Sequence, residues 1–200
     1  MVQILIAFLL AALIQGCGTV MTAPDSRFLG SYARLSESAD ASSSSARTMM
    51  SLDPSRITLN DIQRRASAQI SVEEKSVLMT QLRDELQKQI DAMPQSTNGH
   101  AAILRAAITR VETVSPSLNT LAALLFIVPI DRGGAAVEIE AVDSESGKQF
   151  AALRLGYFAP FTDLKARFHK LAPAEIALKK AADDFIPLLQ PPTSTSLSAL

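Results

Sequence analysis

The sequence predicts an α+β fold in which helices pack on a small antiparallel or mixed sheet, in the order strand, helix, strand, strand, strand, helix. Two patterns predict this class. Residues 71–92 carry apolar side chains at the spacing of an amphipathic helix. Residues 135–142 alternate apolar and polar side chains, and residues 149–157 follow a polar turn as their partner strand, which is typical of a β-hairpin.

The first predicted strand and helix lie between residues 56 and 92. Three apolar residues indicate a short strand: Ile57, Leu59 and Ile62. Ser71 is a typical helix N-cap, because Glu73 and Glu74 then place negative charge in the first turn. One face of the helix is predicted to bury four residues, Leu78, Leu82, Leu86 and Ile90.

Three more strands and a last helix follow. Residues 101–113 contain several β-branched side chains, and residues 135–142 and 149–157 flank the polar turn 143–148. Thr162 is a possible cap for a short helix. Pro173 suits the first turn of the last helix, whose apolar side consists of Leu178, Ala181 and Phe185.

The composition excludes several classes of function. Lys and Arg number 19 against 20 Asp and Glu, so no basic excess indicates nucleic-acid binding. There is no tryptophan, and two tyrosines offer few platforms for stacking bases or sugars. A single cysteine, Cys17, excludes a disulfide within the chain and a cysteine-rich metal site.

The first residues have the pattern of an export signal. Residues 2–14 are almost wholly apolar, yet shorter than the about 20 residues that a membrane span needs. Residues 14–17 resemble the lipobox of bacterial lipoproteins, so we expect cleavage after Gly16 and lipidation of Cys17. An uncleaved anchor or an ordinary secretory signal are the alternatives. Gly18 favours the outer membrane under the sorting rule of many Gram-negative bacteria, with the protein facing the periplasm.

Four regions are therefore predicted. Residues 1–16 are a signal peptide, 17–55 are the lipidated cysteine and a flexible tether, 56–190 are the α+β domain, and 191–200 are a disordered tail. The tether is predicted from its serine run, residues 42–45, and from its low apolar content. Within it, residues 28–35 contain a cluster of apolar and aromatic side chains that we expect to dock on the domain.

Glu138 and Glu140 form the first candidate site, since both point to the same side of one predicted strand. Paired carboxylates can bind a hard cation or share acid–base chemistry. The alternative, which we favour, is a solvated strand face whose glutamates pair with arginines from neighbouring strands: Arg105, Arg110 or Arg154. Because His100 and His169 lie outside any recognisable ligand or triad spacing, we predict no catalytic residue, no metal site and no cofactor.

The second candidate is residues 121–130, a connection between two strands that is more apolar than either strand. Connections normally run over the surface and are polar. One interpretation, which we favour, is a buried helix or strand that completes the core. The other is an apolar interface with the membrane, a partner protein or a second copy, to which we assign Leu124, Leu125 and Phe126.

Four stretches of the chain resemble a known family: the lipobox-like end at Cys17, residues 28–35, residues 108–120, and residues 133–147. On these stretches the sequence is similar to the bacterial lipoprotein family of unknown function numbered thirty-three thirteen. The resemblance implies a cell-envelope lipoprotein with no assigned activity, and it carries over no catalytic residues.

These observations predict an outer-membrane lipoprotein that acts as a non-catalytic binding, structural or assembly accessory of the envelope. The expected partners are the membrane, through the lipid on Cys17, and an envelope protein or a second copy. The alternative is an envelope hydrolase or carbohydrate-processing enzyme. A deep pocket that gathers Glu138, Glu140 and a histidine would favour that alternative.

Overall fold

A mixed sheet of seven strands organises the computed structural model, which describes residues 20–39, 42–65, 70–96, 99–126, 132–160 and 162–192. The spatial order of the strands is β1-β2-β7-β6-β5-β3, and β4 also pairs with β5. The strands are β1 Ser36–Glu37, β2 Ser43–Ala46, β3 Leu52–Leu59, β4 Gln63–Arg64, β5 His100–Glu112, β6 Gly134–Asp143 and β7 Gln149–Phe158. The strands β3 and β4 run parallel to β5, and the other neighbours are antiparallel.

Among the described residues, three α-helices accompany the sheet, namely α1 Val72–Asp91, α2 Pro116–Phe126 and α3 Ala172–Phe185. Two short 3-10 helices, Lys165–Phe168 and Ile186–Leu189, precede and follow α3. The predicted class, α+β with helices packed on a mixed sheet, is confirmed. The helix α2 occupies much of the apolar connection whose structure the sequence left open.

The helix α1 begins as the sequence predicts. Ser71 is its N-cap, and a capping box joins it to Glu74: the Glu74 amide donates to Ser71 Oγ at 3.2 Å, and the Ser71 amide donates to Glu74 Oε2 at 2.9 Å. This arrangement satisfies backbone donors that the first turn leaves free. The predicted stripe is buried at all four positions, Leu78, Leu82, Leu86 and Ile90.

The core lies between the sheet and the pair α1 and α3, which pack against each other. From α3 it receives the predicted residues Leu178, Ala181 and Phe185, and from the sheet Val137, Ile139, Leu153 and Leu155. Alternation along β6 and β7 turns these apolar side chains towards the helices. The other side chains of the two strands therefore point to the opposite face of the sheet.

The prediction of a flexible tether over residues 17–55 is wrong for the described part of that range, residues 20–39 and 42–55. The strand β2 pairs with β7, and β3 begins at Leu52 rather than near residue 56. Serines of β2 alternate between buried and half-buried, which small side chains permit once the backbone is hydrogen-bonded to a neighbouring strand. Composition alone predicted disorder because it does not register hydrogen bonds that a distant strand supplies.

One end of the sheet gathers the close of β5, the start of β6 and the close of β7. There Glu112 pairs with Gly134, and Gly134 pairs with Phe158. Val20 joins the same end through an isolated bridge to Tyr157. The next residue, Met21, lies so close to β7 that a Cβ on Gly156 would meet its carbonyl oxygen at 2.0 Å. Only glycine permits this approach of the two backbones.

The segment before α3 differs in detail from its prediction. The predicted short helix is a 3-10 helix, and its N-cap position is occupied by Leu164 rather than Thr162. Both Leu164 and Phe168 are exposed. The 3-10 helix contacts α2, where Asn119 Nδ2 donates to the carbonyl oxygen of Arg167 at 2.8 Å. This segment therefore supports α2 at its end of the sheet.

Candidate functional site

Glu138 and Glu140 lie on the same side of β6, as their spacing predicts, but both side chains are fully buried. The expected solvated strand face is therefore wrong. A covering segment, residues 25–35, lies over this face of the sheet. Its apolar side chains form a second, smaller core with two alanines of the sheet; the members are Phe28, Leu29, Tyr32, Leu35, Ala107 and Ala152. The predicted docking of residues 28–35 is confirmed.

The covering segment donates hydrogen bonds to Glu138. The Ser26 amide reaches Glu138 Oε1 at 3.3 Å, the Ser26 hydroxyl donates to Oε2, and the Tyr32 hydroxyl donates to Oε2 at 3.0 Å. The Tyr32 oxygen also accepts from the amides of Phe28 and Leu29 at 3.1 and 3.3 Å. Burial, with a further contribution from the negative charge of Glu138, raises the pKa of Tyr32 to about 12.

Glu140 has a similar set of donors and adds an ion pair. The Gly30 amide and Gln149 Nε2 each donate to Glu140 Oε2 at 2.8 Å. The guanidinium of Arg105, opposite Glu140 in the β5–β6 register, pairs with the other carboxylate oxygen. Arg105 also lies over the ring of Phe28, 5.9 Å from its centroid. The carboxylate thus joins three strands of the sheet to the covering segment.

The predicted arginine partners behave in three different ways. Arg105 forms the expected cross-strand ion pair with Glu140. Arg154 lies opposite Glu138 in register, but its Nε donates to Ser44 Oγ at 3.2 Å. Arg110 pairs with Glu112 of its own strand. The alternation of side chains along the strands predicted that these arginines and glutamates share one face of the sheet. Their hydrogen-bond partners on that face depend on the covering segment, which alternation does not predict.

The donors around the two glutamates suit a structural role. Each carboxylate is held by groups of its own chain, and buried carboxylates are stable only when such donors replace water. An external cation or substrate would have to displace the covering segment before it could reach them. The sequence analysis assigned neither Ser26 nor Tyr32 as a donor to these carboxylates. Tyr32 lies within the apolar cluster 28–35 and Ser26 lies just before it, and that position was the available signal.

Neither histidine reaches the carboxylates. His100 begins β5 and makes an edge contact with Phe150, at 5.9 Å between ring centroids. It precedes Arg105 by five residues, about 17 Å along a strand. His169 follows the 3-10 helix and is exposed. The grouping of two glutamates and a histidine, which would favour a hydrolase, is therefore absent among the described residues.

A surface depression of about 560 Å³ lies between β4 and α1. Three basic residues line it, Arg64, Lys75 and Arg83, and Arg83 is already paired with Asp61 at 2.6 Å. Elsewhere in the described part of the chain, no three His, Cys, Asp or Glu side chains come together as ligands for a metal ion. Within the same ranges, no helix has the length and apolar composition needed to cross a membrane.

The second candidate site lies on α2, where the sequence assigned an interface to Leu124, Leu125 and Phe126. Two of the three are exposed, Leu124 by 78% and Leu125 by 65%, as an interface residue must be, and the interface itself stays a prediction. The side chain of Phe126, the last residue of α2, lies outside the described structure, as do residues 127–131. Core burial of the segment, the favoured interpretation, is therefore wrong for the described leucines.

Helical geometry joins four leucines into one surface, which we call the leucine face: Leu118, Leu121, Leu124 and Leu125. At about 100° per residue they span an arc of roughly 120°. Asn119 lies on the opposite side of α2 and Ala122 lies between it and Leu118, and both side chains are buried. Leu118 and Leu121 were missed because the prediction treated the segment as a connection rather than a helix; their spacing of three residues was the available signal.

Cys17 and the predicted signal peptide lie outside the described residues, as does the predicted tail from residue 193 onward. The first described residue, Val20, is three positions after Cys17 and bridges to β7. The described part of the chain therefore begins at the end of the sheet that bears α2.

Two solved structures resemble the chain in part. A PelC dodecamer from Paraburkholderia phytofirmans is 10% identical, with a TM-score of 0.39, and the match covers 74% of this chain and 94% of that one. A "putative lipoprotein" from Caulobacter crescentus is 14% identical, with a TM-score of 0.34 and coverage of 74% and 94%. At these values the likeness does not establish a shared function. No curated protein is significantly similar in sequence.

A protein family provides the stronger match. Its model, described as "Protein of unknown function (DUF3313)", matches residues 24–185. The matched span runs from the covering segment through all the strands and α-helices of the described structure. The resemblance that the sequence predicted is thereby confirmed. Because the match extends over most of the chain, the protein belongs to the family DUF3313.

Proposed function

We propose that this protein is a lipid-anchored component of the bacterial cell envelope, held at the outer membrane by Cys17 with its domain facing the periplasm. It acts there as a binding, structural or assembly accessory rather than as an enzyme. The observation that carries the proposal is the leucine face, an apolar surface on a helix that contains no charged residue. Exposed apolar patches on soluble domains mark contact surfaces.

The carboxylate pair supports the non-catalytic part of the proposal. A general acid or base must come within hydrogen-bond reach of the reacting group. Glu138 and Glu140 instead contact Tyr32, Gly30 and neighbouring groups of their own chain. Their position beneath the covering segment favours a role in holding that segment on the sheet.

The anchor is tested by comparing the full chain with Cys17→Ser in a Gram-negative host supplied with labelled palmitate. We expect the wild-type chain to carry the label and to sediment with the outer membrane. The Cys17→Ser chain should carry no label and should be soluble or unprocessed. A Cys17→Ser chain that remains membrane-bound at the mature mass would contradict the proposal.

The accessory role is tested by crosslinking in intact envelopes. Leu121→Asp should abolish the crosslinks, to lipid or to protein, that are made through the leucine face, whereas Val77→Asp, at an exposed position on α1, should leave them unchanged. Cells that carry Glu140→Gln in place of the wild-type chain should keep the wild-type phenotype if the protein still folds. A folded Glu140→Gln chain that keeps the covering segment in place but gives the phenotype of cells without the protein would indicate catalysis and overturn the proposal.

A further inference from the structure

The leucine face and the lipid-bearing cysteine meet at one end of the molecule. Val20 bridges to Tyr157 near the close of β7, and α2 leaves the sheet just after Glu112, at the close of β5. In the sheet order, β6 alone separates β7 from β5. Neighbouring strands lie about 4.8 Å apart, so Val20 is within about 15 Å of the strand that leads into α2.

The chain before Val20 is too short to move the domain far from its anchor. Val20 is three positions after Cys17, and a fully extended chain spans at most about 3.6 Å per residue. A lipid on Cys17 would therefore hold Val20 within about 11 Å of the membrane surface. Met21 cannot lengthen this connection without detaching, because its amide donates to the carbonyl oxygen of Gly156 at 3.0 Å.

The chemistry of this end suits a lipid surface. The helix α2 contains no charged residue, and its exposed side carries four leucines. The adjacent 3-10 segment adds two exposed apolar side chains, Leu164 and Phe168, with the exposed Lys165 between them. Apolar side chains bordered by a basic residue are typical of helices that lie in the interface of an anionic membrane.

The area of the leucine face fits a membrane better than a second copy of the chain. Full burial of one leucine removes about 60–120 Å² of apolar surface, and the four leucines are between 44% and 78% exposed, so together they offer roughly 150–300 Å². A stable protein interface needs about 800 Å² from each partner. A membrane contact has no such threshold when an anchor already supplies the affinity and the patch needs only to orient the domain.

We propose that the leucine face rests on the lipid bilayer to which Cys17 is anchored, and that it fixes the orientation of the domain on the membrane. The inference deepens the proposed function and depends on the lipidation of Cys17. In this orientation the opposite end of the sheet, which includes Met49 and Lys148, points away from the membrane.

The test uses the fact that Cys17 is the only cysteine. Once it is lipidated, a cysteine introduced elsewhere is the only free thiol in the mature protein. Leu124→Cys and Met49→Cys are a matched pair, because the native residues are 78% and 74% exposed and lie at opposite ends of the sheet. Each lipidated variant is labelled with a polarity-sensitive fluorophore and placed in phosphatidylethanolamine–phosphatidylglycerol vesicles that contain nitroxide-labelled acyl chains.

We expect blue-shifted emission and strong nitroxide quenching of the label at position 124, with neither change at position 49. Equal quenching at both positions, or at neither, overturns the inference. So does a label at position 124 that becomes shielded only as the protein-to-lipid ratio rises, since a second copy would then cover the face. The mass of the purified chain separates the two proposals: an unlipidated Cys17 refutes the anchor and the orientation together, whereas a lipidated chain with an unquenched label at position 124 refutes the orientation alone.

Discussion

A single phenol, that of Tyr32, links the turn of the covering segment to a buried carboxylate. Its hydroxyl donates to Glu138 at 3.0 Å, and its oxygen accepts from two backbone amides. Ionisation of Tyr32 would remove the donor and place two negative charges side by side. The attachment of the covering segment to the sheet therefore depends on a protonated Tyr32.

The titration of Tyr32 tests this dependence. We expect its phenolate absorbance to appear near pH 12 rather than near the ordinary value of 10, in a Tyr157→Phe background that leaves Tyr32 as the only phenol. Because the pKa is raised in the folded state, the stabilisation is fully present below pH 10 and is lost as the pH rises from about 10 to about 12. Adding Tyr32→Phe should remove that loss, and a midpoint near 10 would contradict the buried contact.

Sequence reasoning found the two glutamates but not their environment. Alternation requires Glu138 and Glu140 to share a side of the strand, and the structure agrees. It does not reveal whether that side meets water. The covering groups come from more than 100 residues earlier in the chain, and their local composition predicted a tether. Contacts at such a separation have no signature in a single sequence.

Among the elements, α1 was predicted most completely, because its period, its cap and its charges all indicate the same helix. Leu82 is in the middle of the stripe and is fully buried. Leu82→Ala should lower the free energy of unfolding by about 2–5 kcal/mol. The control Val77→Ala, on the exposed side of the same helix, should change it by no more than about 0.5 kcal/mol. Equal losses in urea unfolding would mean that the stripe is misplaced.

The helix α2 shows what periodicity cannot decide. A short apolar run suits a core or an interface equally well, and only the packing of Asn119 and Ala122 against the protein reveals which side is free. The serine strand β2 is the converse case, since its side chains carry no apolar signal and its order comes from hydrogen bonds to β7. Both elements depend on neighbours that lie far away in the sequence.

Two aspartate substitutions on α2 distinguish the exposed side of the helix from its buried side. Leu125→Asp should leave the circular dichroism spectrum unchanged and alter the free energy of unfolding by about 0.5 kcal/mol or less, because Leu125 is largely exposed. Ala122→Asp introduces the same charge three residues earlier, where it would be buried without a partner, and should unfold the domain or cost several kcal/mol. If Leu125→Asp unfolds the domain, Leu125 belongs to the core and the assignment of an exposed face is wrong.

At the scale of the whole molecule, each face of the sheet is covered by another layer of the protein. The helices α1 and α3 cover one face, as the amphipathic patterns predict, and the covering segment protects the glutamates on the other. Apart from β4 and α2, the order of the main elements from β3 to α3 followed from the sequence. The two added strands and the covering layer did not, because short polar segments gain their order from the sheet on which they lie.

Hydrogen exchange tests this extended domain. The amides of Met21 and Thr48 donate to carbonyl oxygens of Gly156 and Leu188, both at 3.0 Å. We expect these two amides to exchange much more slowly than those of the exposed turn 144–146, since exchange requires the segment to detach from the sheet. Exchange as fast as that of the turn would show that the residues before β3 behave as the tether that their composition predicts.

If Cys17 carries a lipid, the bridge between Val20 and Tyr157 also determines how the protein meets other molecules. A free linker of 38 residues, the length of the predicted tether after Cys17, would let a domain explore a volume with a radius of roughly 30 Å. The three positions from Cys17 to Val20 would allow almost no search in the direction away from the bilayer. A protein anchored in this way encounters its partners chiefly by diffusion within the plane of the membrane. Soluble partners have to arrive at the surface themselves, and their encounter rate will depend on how many anchored copies that surface holds.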